Sequence, residues 1–302
     1  MSDWDDDEDW EFNEEEDDWD DDVVAYGKLL YEEFSSIHEM INITERREVN
    51  KVWKGNTLSS QKGDYHFTHT HNIGEAHHLL VTGWDEPLSK MKAEARKFEK
   101  VNLSESMMKL NIRMNIVGHV PCVPRVLMGL PDSMIEYHRD ISKQKTLTLL
   151  YNISANCGVS DSDLIKSGTS VLNLVTLIEK LGIRVKLQVM ELSGAGNTLA
   201  GWSITLKDYK QPLDIKKLCF PIAHPSMLRR ISFEWMERNP STPKDFLYGY
   251  GCAVDTNIEK QSPALWKQVC KEKNTYYVGF SDTQAVNFDT YELMKRLGIE
   301  FK

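Results

Sequence analysis

Three groups of residues in this chain have types and spacings suited to chemistry. The first is Asn152-Ile153-Ser154-Ala155-Asn156, which follows the apolar run Leu147–Tyr151. Two amide oxygens and a hydroxyl at alternate positions could meet a hard cation such as Mg²⁺. That cation also calls for a carboxylate, and both end positions are neutral, so binding would be weak. The expectation is a loop whose Asn and Ser side chains hydrogen-bond exposed backbone, with no cofactor. The second group is His224-Pro225-Ser226-Met227-Leu228-Arg229-Arg230. An imidazole, a helix start at Ser226 and two guanidinium groups could hold an anion between His224, Ser226, Arg229 and Arg230. The competing reading is a capped helix whose arginines favour its C-terminal end. The third group is histidine: His66, His69, His71, His77 and His78 are five of the nine in the chain. Such crowding could gather a transition metal, but only Glu75 flanks it and the spacing fits no zinc pattern. Polar surface histidines are the expectation. There is no P-loop, no G-x-G-x-x-G, no G-x-S-x-G and no H-E-x-x-H. Five scattered cysteines without a C-x-x-C pair fit a reducing compartment, and Cys157 has no histidine near it to make it a nucleophile.

These groups need elements to position them. Residues 147–151 form a strand-length apolar run, and a polar loop follows. Ser160 is placed to cap a helix, with Asp161 and Asp163 in its first turn. Leu164, Val171, Leu174, Val175, Ile178 and Leu181 share one face of that helix, and Gly182 ends it. Residues 184–192 alternate as a strand, 193–197 are a glycine turn and 201–208 a further strand. The first two strands and the helix make a β-α-β unit. The third strand follows too closely for a crossover and must run antiparallel. Further on, 220–230 carries a short Pro-flanked helix, 231–236 a strand, 263–273 a helix, 275–279 a strand and 288–297 a last helix. Upstream, the spacing predicts an amphipathic helix over 26–41, short strands and turns over 50–70, and a helix over 73–81 that stops at Gly83. A charged helix over 90–101, a strand over 107–117 and a rigid Pro-rich loop to Asp132 complete the reading. The fold class is therefore α/β: an open, mostly parallel sheet flanked by helices, with a smaller α+β region before it. The expected division is 1–22, 23–145 and 146–302.

Charge divides the 302 residues differently. From Asp3 to Asp22 there are 15 acidic and no basic residues, so a chain of net charge −10 has a body of +5. Repulsion at this density predicts a disordered, extended tail. Trp4, Trp10, Phe12 and Trp19 punctuate it, as in segments that dock into a groove lined by Lys and Arg. The tail is thus a solvated appendage, a partner-binding segment, or a cover for a basic patch of the body. The acidic start predicts no signal peptide, and no run of about 18 apolar residues predicts a membrane span.

Two resemblances follow. A strand, the Asn152-x-Ser154-x-Asn156 loop, a helix ending Leu177-Ile178-Glu179-Lys180-Leu181-Gly182 and an antiparallel strand pair are distantly similar to von Willebrand factor A-like domains of the cobalt-chelatase group, over about residues 145–302. In that family the loop holds Mg²⁺ through an acidic residue and two hydroxyls, and a partner's carboxylate completes the shell. Here the acidic position is an amide. Separately, Gly74-Glu75-Ala76, Leu79-Leu80, Gly83-Trp84, Val117-Gly118, Gly129-Leu130-Pro131-Asp132 and His224-Pro225 with Met227-Leu228-Arg229-Arg230 resemble an uncharacterised protein family of tailed bacteriophages. That resemblance implies viral origin and the host-cell cytoplasm, and no chemistry. The functional expectation is an interaction or assembly module that binds an unidentified protein partner through its loop face, with a degenerate metal loop. The alternatives are a metal-dependent enzyme, such as a nuclease or chelatase-like factor, and a nucleic-acid-associated regulator screened by its tail.

Overall fold

The computed structural model describes residues 25–89, 110–139, 146–180, 182–271 and 274–284. In chain order these form β1 (Lys28–Phe34), α1 (Ile37–Arg46), the short helices α2 (Ser59–Lys62) and α3 (Tyr65–Thr68), and α4 (Ile73–Thr82). A small arm follows: β2 (Leu110–Asn115), β3 (Val120–Pro121), α5 (Val123–Leu127) and β4 (Met134–Arg139). Next come β5 (Thr146–Asn152), α6 (Asp161–Lys180), β6 (Arg184–Ala195), β7 (Thr198–Lys207), α7 (Ile215–Ala223), a π-helical segment (Met227–Ile231) and α8 (Ser232–Arg238). The last are β8 (Cys252–Ala253), α9 (Ile258–Gln261), α10 (Pro263–Val269), β9 (Thr275–Val278) and α11 (Phe280–Gln284).

The main sheet runs β1-β7-β6-β5-β9, with β8 pairing beside β6. β5 is interior and lies parallel to both β6 and β9. β7 returns antiparallel on the far side of β6, and β1 joins its outer edge in parallel. Alternation along β5 explains the enclosure: Leu147, Leu149 and Tyr151 enter the core on one face, and Leu150 enters the core on the other. The first face meets α6 through Val171, Leu174, Val175 and Ile178, and the second meets Ile258 and Leu265 of α9 and α10. A strand covered on both sides is mostly apolar at its centre, and its two buried polar side chains are hydrogen-bonded, Thr148 to Tyr209 and Asn152 to Val254 and Tyr277. The chain is α/β, a largely parallel sheet flanked by helices.

α6 begins where Ser160 Oγ accepts a hydrogen bond from the Asp163 amide at 3.2 Å, and Gly182 (φ 79) follows its end. It packs closely on α7 because Gly168 has no side chain: a Cβ there would lie 2.4 Å from the Ile222 carbonyl oxygen. α4 stops at Gly83, whose φ of 93 suits glycine.

Several local expectations are corrected. Residues 26–41 are not one helix but β1 followed by α1, with Ser36 capping the helix through the Glu39 amide. Residues 50–70 form a 3₁₀ turn and two one-turn helices instead of strands. Residues 231–236 are helical, not a strand. The Pro-rich stretch contains α5, because Pro124 suits a first helical turn. β6 and β7 are longer than expected and meet at a two-residue turn, Gly196-Asn197. The boundary at 145/146 does not divide the core: β1 pairs with β7, and Phe34, Met40, Trp53 and Leu80 share one buried cluster with Leu149 and Trp202. The acidic tail with Trp4, Trp10, Phe12 and Trp19, and the expected helices at 90–101 and 288–297, lie outside the described residues.

Candidate functional site

The carboxyl ends of β5 and β6 hold the loop singled out for metal. Asn152 is fully buried; its Nδ2 donates to the Val254 carbonyl at 2.8 Å and to Tyr277 Oη at 2.9 Å. Its Oδ1 accepts from the Ser154 amide at 3.0 Å and from the Ser154 hydroxyl at 2.5 Å. Ser154 Oγ in turn accepts from the Leu192 amide at 2.7 Å, and Asn156 Oδ1 from the Ala253 amide at 3.1 Å. The three side chains thus latch the β5–α6 loop to β6, β8 and β9. The amide oxygens that a cation would need already accept from protein donors. Among the described residues no three His, Cys, Asp or Glu side chains converge as a metal group.

The expected anion site opens out differently. Arg230 is fully buried and spends its donors on protein oxygens. Nε donates to Thr70 Oγ1 at 2.7 Å, Nη1 to the Ser60 carbonyl at 2.8 Å, and Nη2 to the carbonyls of Gly63 at 2.9 Å and Thr70 at 2.7 Å. It is a cage that gathers the 60–70 segment onto the π-helix, and it leaves no strong donor for an anion. His224 stacks on Phe220 with ring centroids 4.4 Å apart and accepts the Ser226 amide at Nδ1. Burial, and then the charge of His69, push it down to about 3, so its ring is neutral. Ser226 Oγ donates to the Thr68 carbonyl at 2.5 Å. Arg229 points the other way, its guanidinium carbon 5.6 Å from the ring centroids of both Phe67 and Phe233, with Nη2 on the Asn156 carbonyl at 3.2 Å. The four residues are neighbours in sequence with separate structural tasks.

The histidines disperse as well. His69 Nε2 lies 2.6 Å from Asp161 Oδ2, His71 stacks on Tyr65, and His77 sits between Glu45 at 3.0 Å and Glu234 at 2.8 Å. His66 lies edge-on to Tyr65. The sequence reading missed a further buried titratable group, Glu191. It continues the inward row Val185, Leu187, Val189 on β6 and is buried, and one of its oxygens, Oε2, has no hydrogen-bond partner. Burial raises it to about 7, against the Ser193 hydroxyl and the Arg229 charge, which act to lower it. Strict alternation through 185–191 was the available signal.

A second kind of surface lies on the arm. β2 and β4 pair antiparallel, β3 adds to β4, and Arg125 closes α5 onto Asp132 at 2.5 Å. The arm's sheet shares no strand with the main sheet. Of the thirteen large apolar side chains exposed among the described residues, nine lie between residues 114 and 130. Val117 is 76% exposed and Leu127 81% exposed. A contiguous exposed apolar patch of a few hundred Å² commonly marks a binding surface, and nine such side chains within seventeen residues make the arm a candidate for one.

A family model described as a domain of unknown function, DUF7192, matches residues 13–300. The chain belongs to the DUF7192 family. Neither a curated protein nor a solved structure matches it. The family description assigns no activity, so the geometry has to carry the functional reading. No helix among the described residues is long and apolar enough to cross a membrane.

Proposed function

We propose that the protein is an interaction or assembly module that binds a protein partner through its arm. The observation that carries this is the concentration of exposed apolar side chains between residues 114 and 130, while both faces of the main sheet are filled. The main sheet serves as a scaffold of A-domain-like plan, and the parallel β5–α6–β6 unit with antiparallel β7 supports that reading. The loop at the strand ends works as a metal-free latch, because its amide oxygens accept hydrogen bonds from Ser154 and Ala253. A tailed-phage protein acting in the host-cell cytoplasm is the setting, carried by the resemblance of the Gly74, Gly118 and His224 segments.

The test is affinity purification of the full chain from infected cells, beside a Val117→Asp/Leu127→Asp variant. Both substitutions fall on exposed positions and spare the core. A partner retained by the native chain and lost by the variant supports the arm as the surface. Equal retention by both chains contradicts it.

A further inference from the structure

We infer that the carboxyl end of β6 holds a site for a small carboxylate, seated between the Arg229 guanidinium, the Glu191 carboxyl and the Trp202 indole. Glu191 and Trp202 stand directly opposite each other on β6 and β7, so their side chains share one face of the sheet. Both are buried, and each keeps a polar atom without a hydrogen-bond partner, Glu191 Oε2 and Trp202 Nε1. Folded chains rarely leave such atoms unmet unless something else occupies the place. Two of them on one cross-strand pair mark the seat of a ligand atom.

Arg229 supplies the charge. Its Nη2 donates to the Asn156 carbonyl at 3.2 Å, and Asn156 Oδ1 accepts from the Ala253 amide. Ala253 pairs with Ser193, whose hydroxyl donates to Glu191 Oε1 at 2.6 Å. Arg229 and Glu191 therefore meet at one end of the sheet, and each feels the other's charge. Among the described residues no carboxylate forms an ion pair with Arg229. Cys157 acts on it from the β5–α6 loop. Glu32, next in the row across β7, is already held by Arg47 and Trp235. Arg229 is half-buried and is the member that reaches solvent.

The donors decide the ligand. Arg229 and Trp202 offer only N–H groups. Burial keeps the Glu191 proton on to about 7, so that carboxyl donates as well. Three donors and a positive charge call for an anion, and the planar guanidinium fork matches a carboxylate. An ammonium group or a divalent cation would instead face the Arg229 charge. Phe67 and Phe233, each with its ring centroid 5.6 Å from the guanidinium carbon, favour a carboxylate with an apolar remainder. The competing occupant is an internal water that bridges Glu191 and Trp202 and needs no Arg229. The site lies on the main sheet, so its test is independent of the arm.

The experiment titrates the full chain, labelled with ¹⁵N at its tryptophan indoles, with sodium benzoate at fixed ionic strength and about pH 6. The Trp202 signal is assigned by its disappearance in Trp202→Phe, or by its response to Glu191→Gln if that variant does not fold. It should move saturably with benzoate, and much less with neutral benzamide. Arg229→Met should weaken binding about tenfold or more, as loss of a charged hydrogen bond does. From about pH 6 to about pH 8 the native affinity should fall about tenfold as Glu191 loses its proton. Glu191→Gln, whose amide still donates, should bind without that fall. The other indole signals report whether each variant is folded. No saturable shift overturns the inference and leaves a bridging water as the occupant. A shift that Arg229→Met does not weaken, or equal affinity for benzoate and benzamide, also overturns it. Inorganic phosphate binding about tenfold more tightly than benzoate would overturn the carboxylate class.

Discussion

Ser154 Oγ accepts a hydrogen bond from the Leu192 amide at 2.7 Å, and this contact ties the β5–α6 loop to β6. Ser154→Ala leaves a buried N–H without its partner and takes one donor from Asn152 Oδ1. A loss of about 1–3 kcal/mol is expected in a urea titration. Because the loop's amide oxygens already accept from protein donors, Mg²⁺ and Mn²⁺ at millimolar levels should not shift the melting temperature. A metal-dependent rise that Ser154→Ala abolishes would contradict the latch.

Arg230 and Arg229 should behave unlike each other. Arg230→Met strips donors from several buried neutral oxygens, each costing about 1–3 kcal/mol when left unsatisfied, so the total loss should be severalfold that of a single hydrogen bond. Arg230→Lys should not rescue it, since an ammonium has three donors and no planar fork. Arg229→Met removes one hydrogen bond and the contacts with Phe67 and Phe233, so its effect should be smaller. Equal unfolding midpoints for Arg230→Met and Arg229→Met would refute the cage.

Glu191 should make stability fall with pH. Its carboxyl holds its proton to about 7 in the fold, against an ordinary value of 4.5 in the unfolded chain, so the native state binds the extra proton between them. The contribution is fully present below about 4.5 and lost by about 7, and it amounts to roughly 3 kcal/mol. Glu191→Gln should flatten that slope and raise stability above pH 7. An unchanged pH profile would mean that the carboxylate is ionised in the fold.

His77 titrates in a different window. Burial pulls its ring down, but Glu234 and Glu45 more than reverse this, and the net shift is upward from 6.5. Its contribution is fully present below about 6.5 and fades as pH rises through the folded value. His77→Gln should therefore flatten the stability profile on the alkaline side of 6.5 and leave the Glu191 slope intact. Denaturation midpoints across pH 5 to 9 separate the two.

What the sequence made legible is the part whose signals are local. β5, α6 and β6 carry their own evidence: an apolar run, the Ser160 cap, a one-sided helix and an alternating strand. β1 does not. Leu29, Leu30, Phe34, Ile37 and Met40 mimic helical spacing, and what makes 28–34 a strand is its pairing with β7, about 170 residues later. The segment 231–236 reads as alternating, yet it continues a π-helix held by Arg230's contacts with residues 60–70. The loop's hydrogen-bonding role was readable, since Asn and Ser side chains between a strand and a helix commonly bond exposed backbone. The separation of Arg229 from Arg230 was not, because adjacent side chains on a helix point in different directions and only their distant partners fix where. The apolar arm went unread for a similar reason: Val, Leu and Met look like core until the fold leaves them outside.

The central claim is that the arm is the partner surface, and hydrogen exchange of the full chain, free and bound to the partner recovered by affinity purification, tests it most directly. Amides between residues 110 and 139 should exchange more slowly in the complex, with the loop at 152–159 unchanged. Slowed exchange over 152–159 with an unaltered arm would contradict the account.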